Sequence, residues 1–304
     1  MQRTKKVGPA IPKSLGDLSL SQDLPESKRR AALATFLGST SNPLVARVIV
    51  NRIWQHVFGN GIVETPSDFG KMGSQPSHPL LLDWLAVEFV QNGWSLKHIH
   101  RLILNSNTFR QSSRPHAATL ATDAESRLLW RFPPRRLDAE SLRDSILQVS
   151  GKLNPKMGGP GFDFFNQKGG LSDYIAKETF DANGWRRMIY ATRIRMQAVD
   201  IFGAFDCPDS GQMRPNRPRS ITPIQALSLL NSPFVNRQAN FMAERVQTVA
   251  GNQLDHQVSL AVELVFSRRP TEEEKSMLSE LAMVHGIGQV CRVLINSNEF
   301  LFLR

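Results

Sequence analysis

Residues 42–58, NPLVARVIVNRIWQHVF, limit the folds open to this chain more than any other stretch. Asn42-Pro43 is a helix start: asparagine caps the first turn, and proline stands where its missing N–H costs nothing. Gly59-Asn60-Gly61 ends the helix. Between these signals Ile49, Val50, Ile53, Trp54 and Val57 form one wide apolar stripe, and Leu44, Val48 and Phe58 lie on the opposite side. A helix apolar on both sides is expected to be buried on both sides. Yet it carries Asn51, Arg52, Gln55 and His56, as the i,i+4 pairs Asn51/Gln55 and Arg52/His56. Buried polar groups need partners. They form either a hydrogen-bond network tying the loop 59–78 to the core or the floor of a binding site roofed by that loop. A long loop inside a compact domain is often functional.

The start and stop signals predict further helices over 28–37, 80–92, 96–105, 127–132, 137–149, 222–249 with a break at Ser232-Pro233, and 255–266. Another restarts at Pro270-Thr271, where Thr271 caps a first turn rich in glutamate. Residues 152–220 differ in character. Glycines at 158–161 and 169–170 alternate with Phe162, Phe164, Phe165, Tyr174, Phe180, Trp185 and Tyr190, and residues 187–195 are the strand candidate. The aromatics read as a satellite core or as stacking platforms for sugars or bases.

Residues 292–300, RVLINSNEF, parallel 101–109, RLILNSNTF, and each follows two helices, the first ending in Val-Phe. The expected fold is therefore mainly α: a multi-helix domain of two related three-helix units, with an irregular Gly- and aromatic-rich insertion carrying a short strand or hairpin. Its divisions are a linker or strap at 1–27, an N-terminal helical unit at 28–151, an irregular segment at 152–220 and a C-terminal helical unit at 221–304, in one compact domain.

The formal charge is +10, with basic clusters at 28–30, 135–136, 186–195, 214–219 and 268–269. Nucleic acid and anionic polysaccharide would both be drawn to such guanidinium clusters, and an arginine-rich solvated surface needs neither. No apolar run approaches the ~18 residues of a membrane span. The N-terminus has no apolar signal region and reads as a linker cut from a longer protein. Cys207 and Cys291 make no C-x-x-C, no haem-attachment C-x-x-C-H and no zinc spacing; two separate thiols are expected.

His98 and His100 lie two apart on a helix and point about 200° away from each other, so with His78 they make no metal site. Arg136, Glu140 and Asp144 fall at i, i+4 and i+8 on one helix face. They form either a salt-bridge ladder or, if their environments separate the two carboxylates, an acid/base pair. No phosphate loop, dinucleotide fingerprint or nucleophile elbow is present.

The motifs NPLVARVIVNRIWQHVFGNGIVETPSDFG, HPLLLDWLAVEFVQNGWSLKHIHRLILNSNTFRQSS, RRLDAESLRDSIL, MGGPG, FDCPD and TPIQALSLLNSPFV occur in order over residues 24–304. This combination resembles the planctomycete secreted-protein domain of unknown function that follows cytochrome-c-like modules in large chains. The resemblance implies an extracytoplasmic protein, often encoded near sulfatases and linked to complex polysaccharides. It implies other domains of a larger chain as partners, the cytochrome-c-like modules among them, and it carries over no catalytic residue. With no haem motif here, no cofactor is expected in this chain. The function expected is a non-catalytic binding or scaffolding module for an anionic polysaccharide or a partner domain. The alternatives are an enzyme acting on complex or sulfated polysaccharide, with Glu140, Asp144, Asp68 or Asp206 as acids, and a nucleic-acid binder. The candidate binding residues are Asn51, Arg52, Gln55, His56, Asp68, Arg136, Glu140, Asp144, Arg193, Arg195 and Arg217.

Overall fold

Asn42 closes the start of the helix Pro43–Phe58 by accepting a hydrogen bond from the Leu44 N–H at 3.0 Å, as its sequence position predicts. The structure is a computed structural model that describes residues 9–13, 16, 18, 20–21, 23–166, 175–177, 180–193, 203–208 and 214–303. It is mainly helical and divides into two compact units, Met1–Pro133 and Pro134–Arg304.

The first unit holds α1 (Glu26–Leu37), α2 (Pro43–Phe58), α3 (Pro79–Gln91), α4 (Leu96–Asn105), α5 (Asn107–Arg110) and α6 (Ala117–Thr122). α2 packs on α3 and α4. Val50, Ile53, Trp54 and Phe58 meet Leu82, Leu85, Phe89, Ile99, Ile103 and Phe132 in one core. Burial of α2 is less complete than its sequence implies: Asn51 is wholly buried, whereas Arg52 and His56 are exposed. The Asn51 amide donates to the Val63 carbonyl at 2.9 Å and accepts from the Val63 N–H at 2.8 Å. A Cβ at Gly61 would stand 2.5 Å from the Val63 oxygen and 2.8 Å from Asn51 Nδ2, so only glycine fits beside this clamp. Further along, Ser74 Oγ accepts from the Glu64 and Thr65 N–H groups, and the Ser77 N–H returns to the Ile62 carbonyl. The long loop is thereby hung on one buried amide.

The helix expected over 127–132 is absent. Asp123 accepts from the Arg127 and Leu128 N–H groups and its carbonyl accepts from Trp130 Nε1, so the chain winds around Asp123. Ser126 and Leu129 have left-handed φ of 55° and 56°, which no α-helix tolerates.

The second unit holds α7 (Ala139–Ser150), α8 (Pro223–Asn231), α9 (Pro233–Ala250), α10 (Leu254–Phe266), α11 (Glu272–His285), α12 (Ile287–Ile295) and α13 (Asn298–Leu301). α7, grouped by sequence with the N-terminal helices, packs here against α9. α9 also touches α8, α10 and α12, burying Val235, Ala239, Met242 and Val246. β1 (Arg135–Arg136) pairs antiparallel with β4 (Phe302–Leu303), Arg135 opposite Leu303. In the irregular segment β2 (Phe165–Asn166) pairs antiparallel with β3 (Ile175–Ala176), the short hairpin that the sequence implies. The strand expected over 187–195 is instead a 3-10 turn at Met188–Tyr190, followed by a single bridge between Ala191 and Phe162. The reason is where its donors go: the Met188 N–H to Asp144 Oδ1, the Tyr190 N–H to the Arg187 carbonyl and the Ala191 N–H to the Met188 carbonyl. Residues 194–195 lie outside the described part. Both cysteines are free thiols, and burial pushes that of Cys291 up to about 12.

The two NSN motifs fold alike. Ser106 and Ser297 each return a hydroxyl to the residue three back (2.7 and 2.8 Å) and accept from the N–H of Phe109 and Phe300. Each ends a set of three mutually packed helices: α2, α3 and α4, and α10, α11 and α12.

Asn51→Ala leaves the Val63 N–H and carbonyl buried without partners, at about 1–3 kcal/mol each. Denaturant unfolding of this variant should show the first unit destabilised by about 2–5 kcal/mol; a loss under about 1 kcal/mol would mean that the loop is held elsewhere.

Candidate functional site

Asp138 begins α7 by accepting from the Ser141 N–H at 2.7 Å. The helix that follows turns Leu142, Ile146 and Val149 into the core and leaves Glu140, Ser141, Asp144 and Ser145 along a cleft of about 590 Å3. Arg187, Met188, Ile189, Ala191 and Arg193 form the facing wall, with Arg217 at its edge.

The facing wall has no ladder of its own. Arg143, fully buried on α7, donates to the carbonyls of Gly184 (2.6 Å) and Arg186 (2.8 Å). Arg186, also buried, donates to the carbonyls of Lys156, Gly158 and Pro160 and lies over the Tyr190 ring at 3.7 Å. Burial lowers the Arg143 guanidinium to about 10 despite nearby Asp144. Asp144 accepts from the Met188 N–H at 2.8 Å and from Arg187 Nε at 3.4 Å.

Glu140 is gripped by two guanidiniums, Arg193 at 2.7 Å and Arg217. Cys207 joins this group, accepting from Arg193 Nη1 and lying 3.7 Å from Glu140 Oε1; burial and the Glu140 charge push its thiol up. Behind them Arg136 pairs with Asp206 at 2.7 Å and donates to the Ser220 carbonyl, while Asp206 accepts from the Ser220 N–H and hydroxyl. Asp206, a candidate acid from sequence, is thus spent on fixing 203–208 against Ser220. Arg135 shows the converse. Its Nε is buried with no hydrogen-bond partner, and burial together with the like charge of Arg219 lowers it to about 10, against the pull of Asp138.

The candidate residues therefore fall into groups. Glu140, Asp144, Arg193 and Arg217 come together at one cleft, and Arg136 with Asp206 braces it. Asn51, Arg52, Gln55, His56 and Asp68 belong to the other unit, where Asn51 holds Val63, Arg52 reaches Ser67 at 3.2 Å and Asp68 closes a turn on the Gly70 N–H. Arg195 lies outside the described residues. Sequence reasoning missed Arg135, Arg143, Arg186, Arg187 and Arg219 as site-builders. Their one signal was the density of arginine around 135–143, 186–195 and 214–219, which does not distinguish a solvated guanidinium from a buried one.

Among the described residues no group of three or more His, Cys, Asp and Glu is arranged to hold a metal ion, and no helix is long and apolar enough to cross a membrane. Fold and cleft together define a mainly helical module whose irregular segment is stapled by arginine around a mixed-charge cleft. The chain belongs to the family described as PSD1, a protein of unknown function (DUF1553), which matches residues 29–282. No curated protein and no solved structure matches it.

The two α7 acids should respond oppositely to pH. Burial opposes ionisation of Asp138, but the Ser141 N–H and hydroxyl with Arg217 and Arg135 hold its carboxyl below the ordinary value. Its contribution to stability is then present above the ordinary carboxyl pKa and lost as pH falls toward the depressed one. Burial outweighs the Met188, Arg143 and Arg187 contacts at Asp144 and raises its carboxyl. That contribution is complete below the ordinary pKa and declines as pH rises through the raised value. In unfolding titrations the gap between wild type and Asp138→Asn should close on acidification, and Asp144→Asn should gain on wild type as pH rises through the carboxyl range.

Proposed function

We propose that this chain is a non-catalytic binding module that takes an acidic polysaccharide at the α7 cleft. The observation that supports this is a guanidinium cluster beside the cleft: Arg135, whose Nε is buried and unpaired, lies near Arg219 and Asp138, and Arg219 lies near Arg217, which lines the cleft and also pairs with Glu140. Guanidinium donors without acceptors are complementary to a sulfate or carboxylate, which accepts two parallel N–H bonds. The cleft lining is balanced, Arg187, Arg193 and Arg217 against Asp138, Glu140 and Asp144, and the excess positive charge that would draw an anion comes from Arg135, Arg136 and Arg219 beside it. On the resemblance set out above, the module works outside the cytoplasm within a longer chain that includes cytochrome-c-like modules, and needs no cofactor of its own.

A second reading is an enzyme acting on the same polymer. It is favoured by Glu140 and Asp144 lining one cleft, with the Asp144 carboxyl raised as a proton donor requires.

A sulfated-glycan array separates these readings. The wild type should be retained in a salt-dependent way, and Arg135→Ala and Arg219→Ala should each weaken retention by about ten- to a hundredfold, as expected for a charged hydrogen bond of about 1.5–3 kcal/mol. Glu140→Gln should tighten it by freeing Arg193 and Arg217. Equal retention on duplex DNA of matched charge would replace the glycan with nucleic acid. Loss of no ligand on either arginine change would leave a scaffold for a partner domain. Release of reducing ends that stops in Asp144→Asn would establish the enzyme.

A further inference from the structure

A second, open cavity in the same unit, of about 450 Å3, is lined by residues that the α7 cleft does not use. Its size lies within the roughly 300–1,000 Å3 of small-molecule sites. The residues that matter are Asp163, Asn166, Lys177, Phe180, Asp181 and Asn183.

The wall is preformed. Asp181 Oδ1 accepts from the Asn183 and Gly184 N–H groups at 3.0 Å each, closing a tight turn. The Ala182 carbonyl takes the Asn154 side-chain amide at 2.8 Å, and the Gly184 carbonyl takes Arg143. A Cβ at Gly184 would stand 2.5 Å from the Phe180 ring, so glycine lets that ring lie directly on the turn. Phe164, Trp185 and Phe162 hold the ring by edge and tilted contacts at 5.7, 5.8 and 6.3 Å, which prevents it from collapsing into the cavity it lines.

The polar groups are unspent. The side chains of Asp163, Asn166, Lys177 and Asn183 make no hydrogen bond or ion pair with any described residue, while Asp181 Oδ1 and the Ala182 and Gly184 carbonyls are taken up. The set holds an acceptor (the Asp163 carboxylate), a pure donor (the Lys177 ammonium) and two amides that both give and take, with the Asp181 carboxylate, whose Oδ1 closes the turn, beside them. A simple anion would meet Asp163 and Asp181, and a simple cation would meet Lys177. Hydroxyl groups satisfy all of them, because each both donates and accepts. The half-buried Phe180 ring adds an apolar surface suited to the C–H face of a saturated ring.

We propose that this cavity is a binding subsite for an uncharged pyranose unit, with Asp163 and Asn183 holding its hydroxyls and Phe180 packing against its face. This site goes beyond the anion-binding reading of the α7 cleft and stands without it. The two cavities use the strip 180–193 on either side of the carbonyls that Arg143 holds.

The test is calorimetric titration of the whole chain with uncharged gluco-, xylo- and manno-oligosaccharides. At least one series should bind. Asp163→Ala and Asn183→Ala should each weaken it by about tenfold, with circular dichroism and thermal midpoint unchanged because neither side chain serves the fold. Arg219→Ala should leave this binding intact. The proposal is overturned if no series binds, if binding survives the Asp163→Ala/Asn183→Ala double variant, or if Arg219→Ala abolishes it equally, which would put the ring in the α7 cleft. Sulfated-glycan retention that fails while uncharged oligosaccharides still bind would remove the anion-binding reading and leave this one standing.

Discussion

The second unit depends on a buried guanidinium that bonds to backbone carbonyls. Arg143 has no solvent exposure, donates to Gly184 and Arg186, and lies 5.1, 5.3 and 5.7 Å from the rings of Phe162, Phe164 and Phe234. Its nearest carboxylate oxygen, on Asp144, is 3.8 Å away. Burying such a charge is costly unless its donors are taken up; the two carbonyls take Nη1 and Nη2, Nε is left without a partner, and burial lowers the guanidinium to about 10. In return, a stretch with little regular structure has its carbonyls satisfied. Arg186 repeats the device one step outward on Lys156, Gly158 and Pro160. Two arginines thus replace the ladder that a sheet would have supplied.

That replacement shapes the chemistry available. A wall held from behind, by side chains reaching its carbonyls, can keep different surfaces on its two sides. Toward α7 it offers Arg187 and Arg193 among carboxylates; toward β2 it offers Phe180 and the Asp181 turn. The two linings differ in kind: guanidiniums facing carboxylates in one, and amides, carboxylates, an ammonium and an aromatic ring in the other.

The first unit solves a comparable problem with a neutral group. Its long loop is tied to α2 by the two ends of the Asn51 amide, and Gly61 keeps the space that the amide needs. An amide suits this place because a single buried N–H and a single buried carbonyl call for one donor and one acceptor. Where several carbonyls converge, as at 156–160 and 184–186, a guanidinium brings up to five donors in one rigid fork.

Local chemistry settled much of the fold from sequence alone. Asn42, Ser95, Ser232 and Thr271 cap helices where their side chains and following residues say they should, since capping involves a few neighbouring residues and nothing distant. The paired NSN turns and the mainly helical class were legible for the same reason, as was the convergence of Glu140 and Asp144 on one face of a helix. Tertiary structure decided the rest. Residues 127–132 had helical periodicity but wound around Asp123, and 187–195 had strand composition but gave the Met188 N–H to Asp144. In both cases a carboxylate captured backbone donors that the regular element needed. Whether an arginine is solvated, as Arg52 is, or buried among rings, as Arg143 is, depends on what lies opposite it in three dimensions. That partner is set by packing between segments distant in sequence, which residue type and spacing do not encode.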